Sequence, residues 1–334
     1  MSYRVVITRG YAEPDGSTIF GDIGLERLTR AGIEWSVLEE QVAELRPDQL
    51  ADADAVLVLG HERVSVGSIP PGGRLRHVAR FGAGFDAIDV AACAERGVVV
   101  TNTPNAVRRP VADAALTMVF ALAHNLLPKH RLVQEGRWDR RATWQGTGLG
   151  SAVIGVVGLG GIGREVCVRL RALDLTVVAY NRSDRAAEAR ALGVRTADLD
   201  TLLARSDHVI VTVAANAGTR HLIGARELDL MKPTSTLINL ARGSVVDEQA
   251  LIARLADGRL RGAGLDVFDV EPLPTSSPLV TMDNVVLAPH SLCWTDDFSS
   301  AVSGAAIQAL VDVSRGERPA HPVAPATGPA PVGR

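Results

Sequence analysis

The stretch VIGVVGLGGIG, residues 153–163, decides the fold of this chain. Its first five residues are typical of a buried parallel strand, and the glycines that follow fit the pattern G-x-G-x-x-G. The next ten residues, REVCVRLRAL, carry apolar side chains at helical spacing. A strand, a glycine turn and a helix in this order predict a dinucleotide site, with a purely structural turn as the alternative.

Each glycine of the turn has a separate predicted task. Gly158 allows the chain to turn tightly, Gly160 allows the backbone to approach a pyrophosphate, and Gly163 allows the helix to pack against the strand. Gly161 and Ile162 lie at the start of the helix, where free N–H groups and the helix dipole favour negative charge. All five residues are therefore predicted to bind the cofactor.

Composition limits the remaining possibilities. A chain of 334 residues with 46% hydrophobic and 4% aromatic residues predicts two aliphatic α/β cores. A net charge of −3 gives no support to binding of nucleic acid or of a membrane surface. Three cysteines without C-x-x-C spacing indicate neither disulfides nor a metal site, and without a leader pattern we expect a cytoplasmic protein.

Strands and helices alternate in both halves, which predicts parallel sheets with right-handed crossovers. The apolar segment 111–127 predicts one buried or interface helix, and the proline-rich tail 319–334 predicts disorder. The strand candidates are RVVIT (4–8), EWSVL (34–38), AVLVL (55–59), HVAR (77–80), VVVT (98–101), VIGVV (153–157), TVVAYNRS (176–183), HVIVTVA (208–214), STLINLA (235–241), GAGLDVF (262–268) and NVVLAP (284–289).

The end of the strand TVVAYNRS bears on the choice of dinucleotide. An NAD-binding unit carries an acidic residue at this position, whereas this chain has Asn181, Arg182 and Ser183. A guanidinium with a neighbouring hydroxyl suits the 2′-phosphate of NADP(H). We therefore predict NADP(H), with NAD(H) and a merely solvated Arg182 as the alternative. Thr212, in the strand HVIVTVA, completes the predicted cofactor site.

Three polar residues follow consecutive predicted strands. Arg242 comes after STLINLA, Glu271 after GAGLDVF, and His290 after NVVLAP. Taken singly, they are equally well explained as a surface arginine, a turn residue and a satisfied buried histidine. Because parallel strands end at one edge of a sheet, the three together indicate an active site.

The chain resembles the D-isomer-specific 2-hydroxyacid dehydrogenase family up to about residue 315. The resemblance lies in several motifs, which are ARFGAGFDAID (79–89), NTPNAV (102–107), GVVGLGGIGREV (155–166), NLARGSVVDEQAL (239–251), LDVFDVEPLP (265–274) and LAPHSLCWTDD (287–297). It implies a nucleotide-binding Rossmann domain at 104–294 and a flavodoxin-like substrate domain at 1–103 plus 295–318, with the active-site cleft between them. It also implies a homodimer formed through the nucleotide-binding domain.

The resemblance also implies residue roles. The backbone amides of Ala83 and Gly84 would bind a substrate carboxylate, although a structural turn is the alternative explanation of the glycines in this loop. Asp266 would hold the nicotinamide carboxamide. Trp294 is a departure from the family pattern, and it would either line the substrate pocket and limit substrate size or pack between the domains.

Reduction of a 2-keto acid requires a hydride and a proton, and these residue types suit it. His290 would donate the proton, with Glu271 orienting the ring and favouring its charged form. Arg242 would bind the substrate carboxylate and polarise the keto oxygen. We therefore expect an NADPH-dependent 2-keto acid reductase that forms a D-2-hydroxy acid, and reverses the reaction.

Two rival functions remain on this scaffold. One is a non-enzymatic dinucleotide-binding regulator, and the other is a dehydrogenase of a non-keto-acid substrate such as phosphite.

If Arg80 and His61 face the far end of the substrate, the pocket is basic and favours a second acidic group or a polyol.

Overall fold

The computed structural model describes residues 2–325. Within that range the chain divides into two compact units, one made of residues 2–107 and 294–325 and the other of Arg108–Cys293. Each unit has its own β-sheet. The assignment of a substrate role to one unit and a nucleotide role to the other stays a prediction.

The secondary structure follows the predicted alternation of strands and helices. The strands are β1 (Tyr3–Ile7), β2 (Ile33–Val37), β3 (Ala55–Val58), β4 (His77–Arg80), β5 (Val99–Thr101), β6 (Val153–Val157), β7 (Thr176–Tyr180), β8 (Arg195–Thr196), β9 (His208–Val211), β10 (Thr236–Asn239), β11 (Gly262–Leu265), β12 (Val285–Leu287) and β13 (Pro322–Val323). The α-helices are α1 (Leu25–Arg30), α2 (Val90–Glu95), α3 (Arg108–Ala123), α4 (Leu126–Gln134), α5 (Gly161–Ala172), α6 (Ala186–Ala191), α7 (Leu199–Arg205), α8 (Ala225–Leu230), α9 (Glu248–Ala256) and α10 (Asp296–Ser314).

The first unit contains a sheet in the order β2-β1-β3-β4-β5-β13, in which the first five strands are parallel. The order 2-1-3-4-5 is that of flavodoxin-like folds. Every residue of β3 is buried, which explains why the sequence there is a continuous apolar run rather than an alternating one.

The second unit contains a parallel sheet in the order β12-β11-β10-β9-β6-β7-β8. Successive residues of its central strands point to opposite faces: Ile210 packs with α3 and α5, whereas Val209 and Val211 pack with α7, α8 and α9. Helices therefore cover both faces. The strand order reverses between β6 and β9, and in open α/β sheets ligands bind at such a point. The two parallel sheets confirm the predicted α/β fold class.

Two predicted segments differ in the structure. The single helix expected over residues 111–127 is broken, because Asn125 adopts a left-handed conformation with φ 51° between α3 and α4. No single helix within residues 2–325 is long and apolar enough to cross a membrane; α3 and α4 pass that test only as a pair, bent by 61° at their junction.

The predicted disordered tail begins with ordered residues. Pro322 and Val323 form β13, which pairs antiparallel with Thr101 and Val100 of β5. Proline is tolerated there because β13 is an edge strand and needs fewer backbone donors. Disorder was therefore the wrong prediction for the start of the tail, and residues 326–334 lie outside the described residues.

Candidate active site

The glycine turn after β6 has the geometry that a phosphate-binding turn requires. Gly158 has φ 103°, a conformation that favours glycine. A Cβ on Gly163 would lie 1.8 Å from the carbonyl oxygen of Gly158, so this position needs glycine for close packing of α5 on the turn. A Cβ on Gly160 would meet nothing within 4 Å, which leaves the outer side of the turn open for a ligand. The turn therefore fits a dinucleotide pyrophosphate at the start of α5.

Side chains from neighbouring strands hold this turn in place. The Leu159 N–H donates a hydrogen bond to Asn181 Oδ1 at 3.0 Å, and Thr212 Oγ1 donates to the Gly158 carbonyl at 2.9 Å. Asn181 Nδ2 in turn donates to Ser183 Oγ at 2.9 Å. Asn181 and Thr212 thus fix the backbone of the turn through hydrogen bonds. A direct contact of either residue with a cofactor stays a prediction.

Arg182 and Ser183 are exposed at the carboxyl end of β7. Within residues 2–325, Arg182 makes neither a hydrogen bond nor an ion pair, and its Nη1 lies 3.1 Å from the place of a Cβ on Gly218. The nearby carboxylate of Asp184 instead accepts a hydrogen bond from the Ala186 N–H at 2.8 Å, at the start of α6. The carboxyl end of β7 thus presents a cation, Arg182, rather than a carboxylate.

Arg242 follows β10 and is half-buried. Asn239 fixes its backbone, because Asn239 Nδ2 donates to the Arg242 carbonyl at 2.9 Å and Asn239 Oδ1 accepts from the Ala241 N–H at 3.0 Å. The next residue, Gly243, lies against the backbone of Phe268, where a Cβ would come within 2.0 Å. Sequence reasoning missed Asn239 and Gly243, although a buried polar residue that ends an apolar strand is a usable signal.

Glu271 and His290 form a hydrogen-bonded pair. Glu271 Oε2 lies 2.7 Å from His290 Nδ1, and Glu271 Oε1 accepts from the Phe268 N–H at 3.0 Å. The two side chains are 30% and 25% exposed, so the pair is largely shielded but reachable by solvent. His290 has φ 53°, a left-handed conformation that is rare for a residue with a side chain and recurs at functional sites. The predicted pairing is therefore present, with both carboxylate oxygens engaged.

Asp266 lies at the end of β11 and is 4% exposed. Its carboxylate accepts hydrogen bonds from the backbone N–H groups of Ser291, at 3.0 Å, and Leu292, at 3.2 Å. Burial raises the pKa of this carboxyl, which the hydrogen bonds partly offset. Asp266 thus fixes the segment that follows His290, and its predicted contact with the nicotinamide carboxamide stays a prediction.

Cys293 follows this segment and is not arranged as a nucleophile. Burial raises the pKa of its thiol to about 12, so the thiolate is scarce at neutral pH.

In the first unit, the loop after β4 directs its carbonyl groups inward. Asn102 Nδ2 donates to the Ala83 carbonyl at 2.7 Å, and Arg80 Nε donates to the Gly84 carbonyl at 2.9 Å. Among residues 2–325, no hydrogen-bond acceptor is present for the N–H groups of Ala83 and Gly84. The loop therefore offers two amide donors, as its predicted role requires.

Arg80 itself is tied to the backbone of its own unit. Its Nη1 donates to the carbonyl groups of Val58, Leu59 and Phe81 at 3.2, 3.1 and 2.7 Å. A guanidinium that donates to four backbone carbonyl groups is a positioning group. The interpretation of Arg80 as a receptor for a distal acidic group thus loses its support.

Trp294 belongs to an aromatic cluster of the first unit. Its ring lies 4.9 Å from that of Phe20 and 5.5 Å from that of Tyr11, both edge to face. Phe20 also contacts Phe81, which precedes the Gly82–Gly84 loop, at 4.9 Å. The cluster thus packs against the residue that precedes this loop. A role of Trp294 in limiting substrate size stays a prediction.

Comparison with known sequences decides the family. The model described as "D-isomer specific 2-hydroxyacid dehydrogenase, NAD binding domain" matches residues 116–291, more than half of the chain. The chain belongs to the D-isomer specific 2-hydroxyacid dehydrogenase family. Membership accounts for the glycine turn and the three strand-end residues together.

Three relatives illustrate the range of this family. A glyoxylate reductase of Pyrococcus furiosus is 35% identical over 325 residues, which cover 96% of this chain and 94% of that protein. A D-3-phosphoglycerate dehydrogenase of Methanocaldococcus jannaschii is 33% identical over 294 residues, which cover 88% of this chain and 55% of that protein. The crystal structure of an NADPH-dependent glyoxylate/hydroxypyruvate reductase from Sinorhizobium meliloti, in complex with NADP and malonate, is 31% identical with a TM-score of 0.82 over 97% of each chain.

The geometry of this D-2-hydroxyacid dehydrogenase suits proton transfer coupled to recognition of an anion. The adjacent strands β10, β11 and β12 present a guanidinium, a carboxylate and an imidazole at their carboxyl ends. The imidazole is oriented by the carboxylate, which is the arrangement of a general acid and its positioning group.

Proposed function

We propose that this dehydrogenase reduces a 2-keto acid to a D-2-hydroxy acid, with NADPH preferred over NADH. The observation that carries the proposal is the 2.7 Å pair of Glu271 and His290, set by strands next to that of Arg242. The glyoxylate and hydroxypyruvate reductases among its relatives support the substrate class.

When bound, the nicotinamide supplies the hydride. Glu271 holds His290 by Nδ1, and the ring delivers a proton from Nε2 to the keto oxygen. Arg242 binds the substrate carboxylate and stabilises the negative charge that develops on the keto oxygen. In the first unit, the N–H groups of Ala83 and Gly84 are suited to binding a carboxylate oxygen. In the reverse reaction His290 accepts the proton.

The test of the reaction is oxidation of NADPH with a panel of glyoxylate, hydroxypyruvate, pyruvate, phenylpyruvate and a dicarboxylic 2-keto acid. We expect glyoxylate or hydroxypyruvate to give the highest kcat/KM, and the product to be the D isomer where a stereocentre forms. Turnover of phosphite with NADP+ and of no 2-keto acid would contradict the proposal. Tight dinucleotide binding without turnover of any of these compounds would favour the regulator.

The cofactor preference rests on Arg182 and Ser183. The exposed guanidinium and the neighbouring hydroxyl offer donors for a 2′-phosphate, and a carboxylate that would repel it is absent from residues 181–183. We expect Arg182→Gln to raise the Kd of NADPH about tenfold or more and to leave that of NADH unchanged.

Arg205→Gln is the matched control for this test, because Arg205 is exposed at the carboxyl end of α7, away from the glycine turn. It is expected to change neither Kd. Equal weakening of both nucleotides by Arg182→Gln would contradict the 2′-phosphate contact.

We also propose that the protein is a homodimer formed through the second unit. Large apolar side chains are exposed along one continuous stretch of that unit, with Phe120, Leu126, Val133 and Trp138 at 39, 57, 57 and 62% exposure. Such concentration of apolar surface is typical of an interface. Sedimentation should give a dimer, which Trp138→Glu dissociates and the control Val168→Glu, on α5, does not. A monomeric wild type would refute this proposal.

A further inference from the structure

Arg108, the first residue of α3, lies against the glycine turn. A Cβ on Gly161 would come 2.5 Å from Arg108 Nε and 3.1 Å from its Cζ, so the guanidinium occupies the space that a side chain at Gly161 would fill. Glycine at position 161 therefore leaves room for the Arg108 side chain beside the turn.

The position of α3 on α5 is fixed independently of Arg108. Asp113 Oδ1 accepts a hydrogen bond from Arg169 Nε at 2.6 Å, which joins the two helices one to two turns further along. Buried residues of both helices, among them Ala115 and Val166, belong to one apolar cluster. Arg108 is thus held at the amino end of α5 by the packing of its helix.

Among the residues that the structure describes, the Arg108 side chain has no partner of its own. Its Nε is buried and without a hydrogen-bond partner, and within residues 2–325 Arg108 makes no ion pair. The carboxylates nearest along these helices, Asp113 and Glu165, are both engaged by Arg169. A buried N–H of a charged group is costly to leave unsatisfied, so this guanidinium is suited to an anion that arrives from outside the chain.

We propose that Arg108 is a ligand of the dinucleotide pyrophosphate. This inference rests on the proposed function, since it requires that the second unit binds NADPH or NADH. The open side of Gly160 leaves space for the phosphates, and the α5 N–H groups and the Arg108 guanidinium then bind them from two sides. The contact differs in kind from that of Arg182, because every dinucleotide has a pyrophosphate and only NADP(H) has a 2′-phosphate.

The test is direct binding of four ligands to the full-length protein by isothermal titration calorimetry. In Arg108→Gln we expect the Kd values of NADPH, NADH and ADP to rise by the same factor, about tenfold or more. The affinity for adenosine 2′-monophosphate, which has no pyrophosphate, should stay within about twofold. In Arg182→Gln the pattern is reversed, with NADPH and adenosine 2′-monophosphate weakened and NADH and ADP unchanged.

Two further variants separate binding from folding. Arg109→Gln, the same substitution at the exposed neighbouring position, is the matched control and should leave all four Kd values unchanged. Arg108→Lys keeps the charge and loses the planar fork, so its Kd values should lie between those of the wild type and Arg108→Gln. If Arg108→Gln fails to fold, the test rests on Arg108→Lys. An unchanged Kd of NADH in Arg108→Lys would then overturn the proposal.

The remaining outcomes are also decisive. A wild type that binds dinucleotides, together with a folded Arg108→Gln that binds NADH equally well, shows that Arg108 is not a pyrophosphate ligand. A wild type that binds neither NADPH nor NADH refutes the proposed function itself. Loss of affinity for NADPH alone would assign Arg108 to the 2′-phosphate and overturn the proposal.

Discussion

Replacement of Glu271 by glutamine tests the acid pair with little change of shape. Glutamine can keep the bond from the Phe268 N–H, which Glu271 Oε1 accepts at 3.0 Å. The other end of the side chain then presents an amide N–H in place of Oε2, 2.7 Å from His290 Nδ1. The amide N–H would face the ring N–H of His290, so the variant loses the hydrogen bond and the negative charge beside the imidazole.

The size of the effect follows from the burial of the pair. Hydrogen bonds to charged groups contribute about 1.5–3 kcal/mol. Because the two side chains are 30% and 25% exposed, solvent screens the pair in part, and we take about 2 kcal/mol. At about 1.4 kcal/mol per tenfold change, kcat falls roughly 30-fold.

The assay is single-turnover oxidation of NADPH by the best 2-keto acid, with the Kd of NADPH measured alongside. We expect Glu271→Gln to lower the rate and to leave the Kd of NADPH unchanged. Glu248→Gln is the matched control, since Glu248 Oε2 accepts a hydrogen bond from the nearby Asp269 N–H at 3.1 Å. A rate in Glu271→Gln within twofold of the wild type, with a large loss in His290→Ala, would refute the orienting role of Glu271.

Three further outcomes follow from the structure. Arg242→Gln should lower kcat/KM at least tenfold with the Kd of NADPH unchanged, which steady-state kinetics and titration check. Gly163→Ala, with its Cβ 1.8 Å from a carbonyl oxygen, should lower the free energy of unfolding by about 2 kcal/mol or more in urea titrations, whereas Gly160→Ala should lower only nucleotide affinity. Burial lowers the pKa of His77 to about 3 and that of His208 to about 4, from 6.5, so the unfolded chain takes up protons first as the pH falls below 6.5. Each histidine should then cost about 1.6 kcal/mol of stability at pH 5 relative to pH 6.5, and an unchanged pH dependence in the double glutamine variant would contradict this.

Long buried strands could be predicted from the sequence because they are continuous apolar runs. VIGVV was predicted with the bounds that the structure has, since it crosses a sheet covered on its two faces. The edge strands β8 and β13 were missed. Each has two residues, and both residues of β8 are exposed, so neither carries an apolar pattern.

Residues of the candidate site could be predicted from the sequence where they follow the carboxyl end of a predicted strand. Arg242, Glu271 and His290 follow strands whose order and direction the alternating pattern already implies. Arg80 and Arg108 were different, because their surroundings are set by tertiary packing. Arg80 donates to carbonyls at Val58 and Leu59, more than 20 residues away, and no local pattern encodes such contacts.

The hydrogen bonds of Asp266 to the segment after His290 have a consequence for how this enzyme can change over time. The carboxylate accepts hydrogen bonds from backbone N–H groups, which every residue except proline has. These bonds therefore do not depend on which side chains stand at positions 291 and 292. Substitutions there, other than to proline, can keep these hydrogen bonds and the position of the backbone after His290. The sequence of this segment can therefore vary over evolution while the imidazole stays in place.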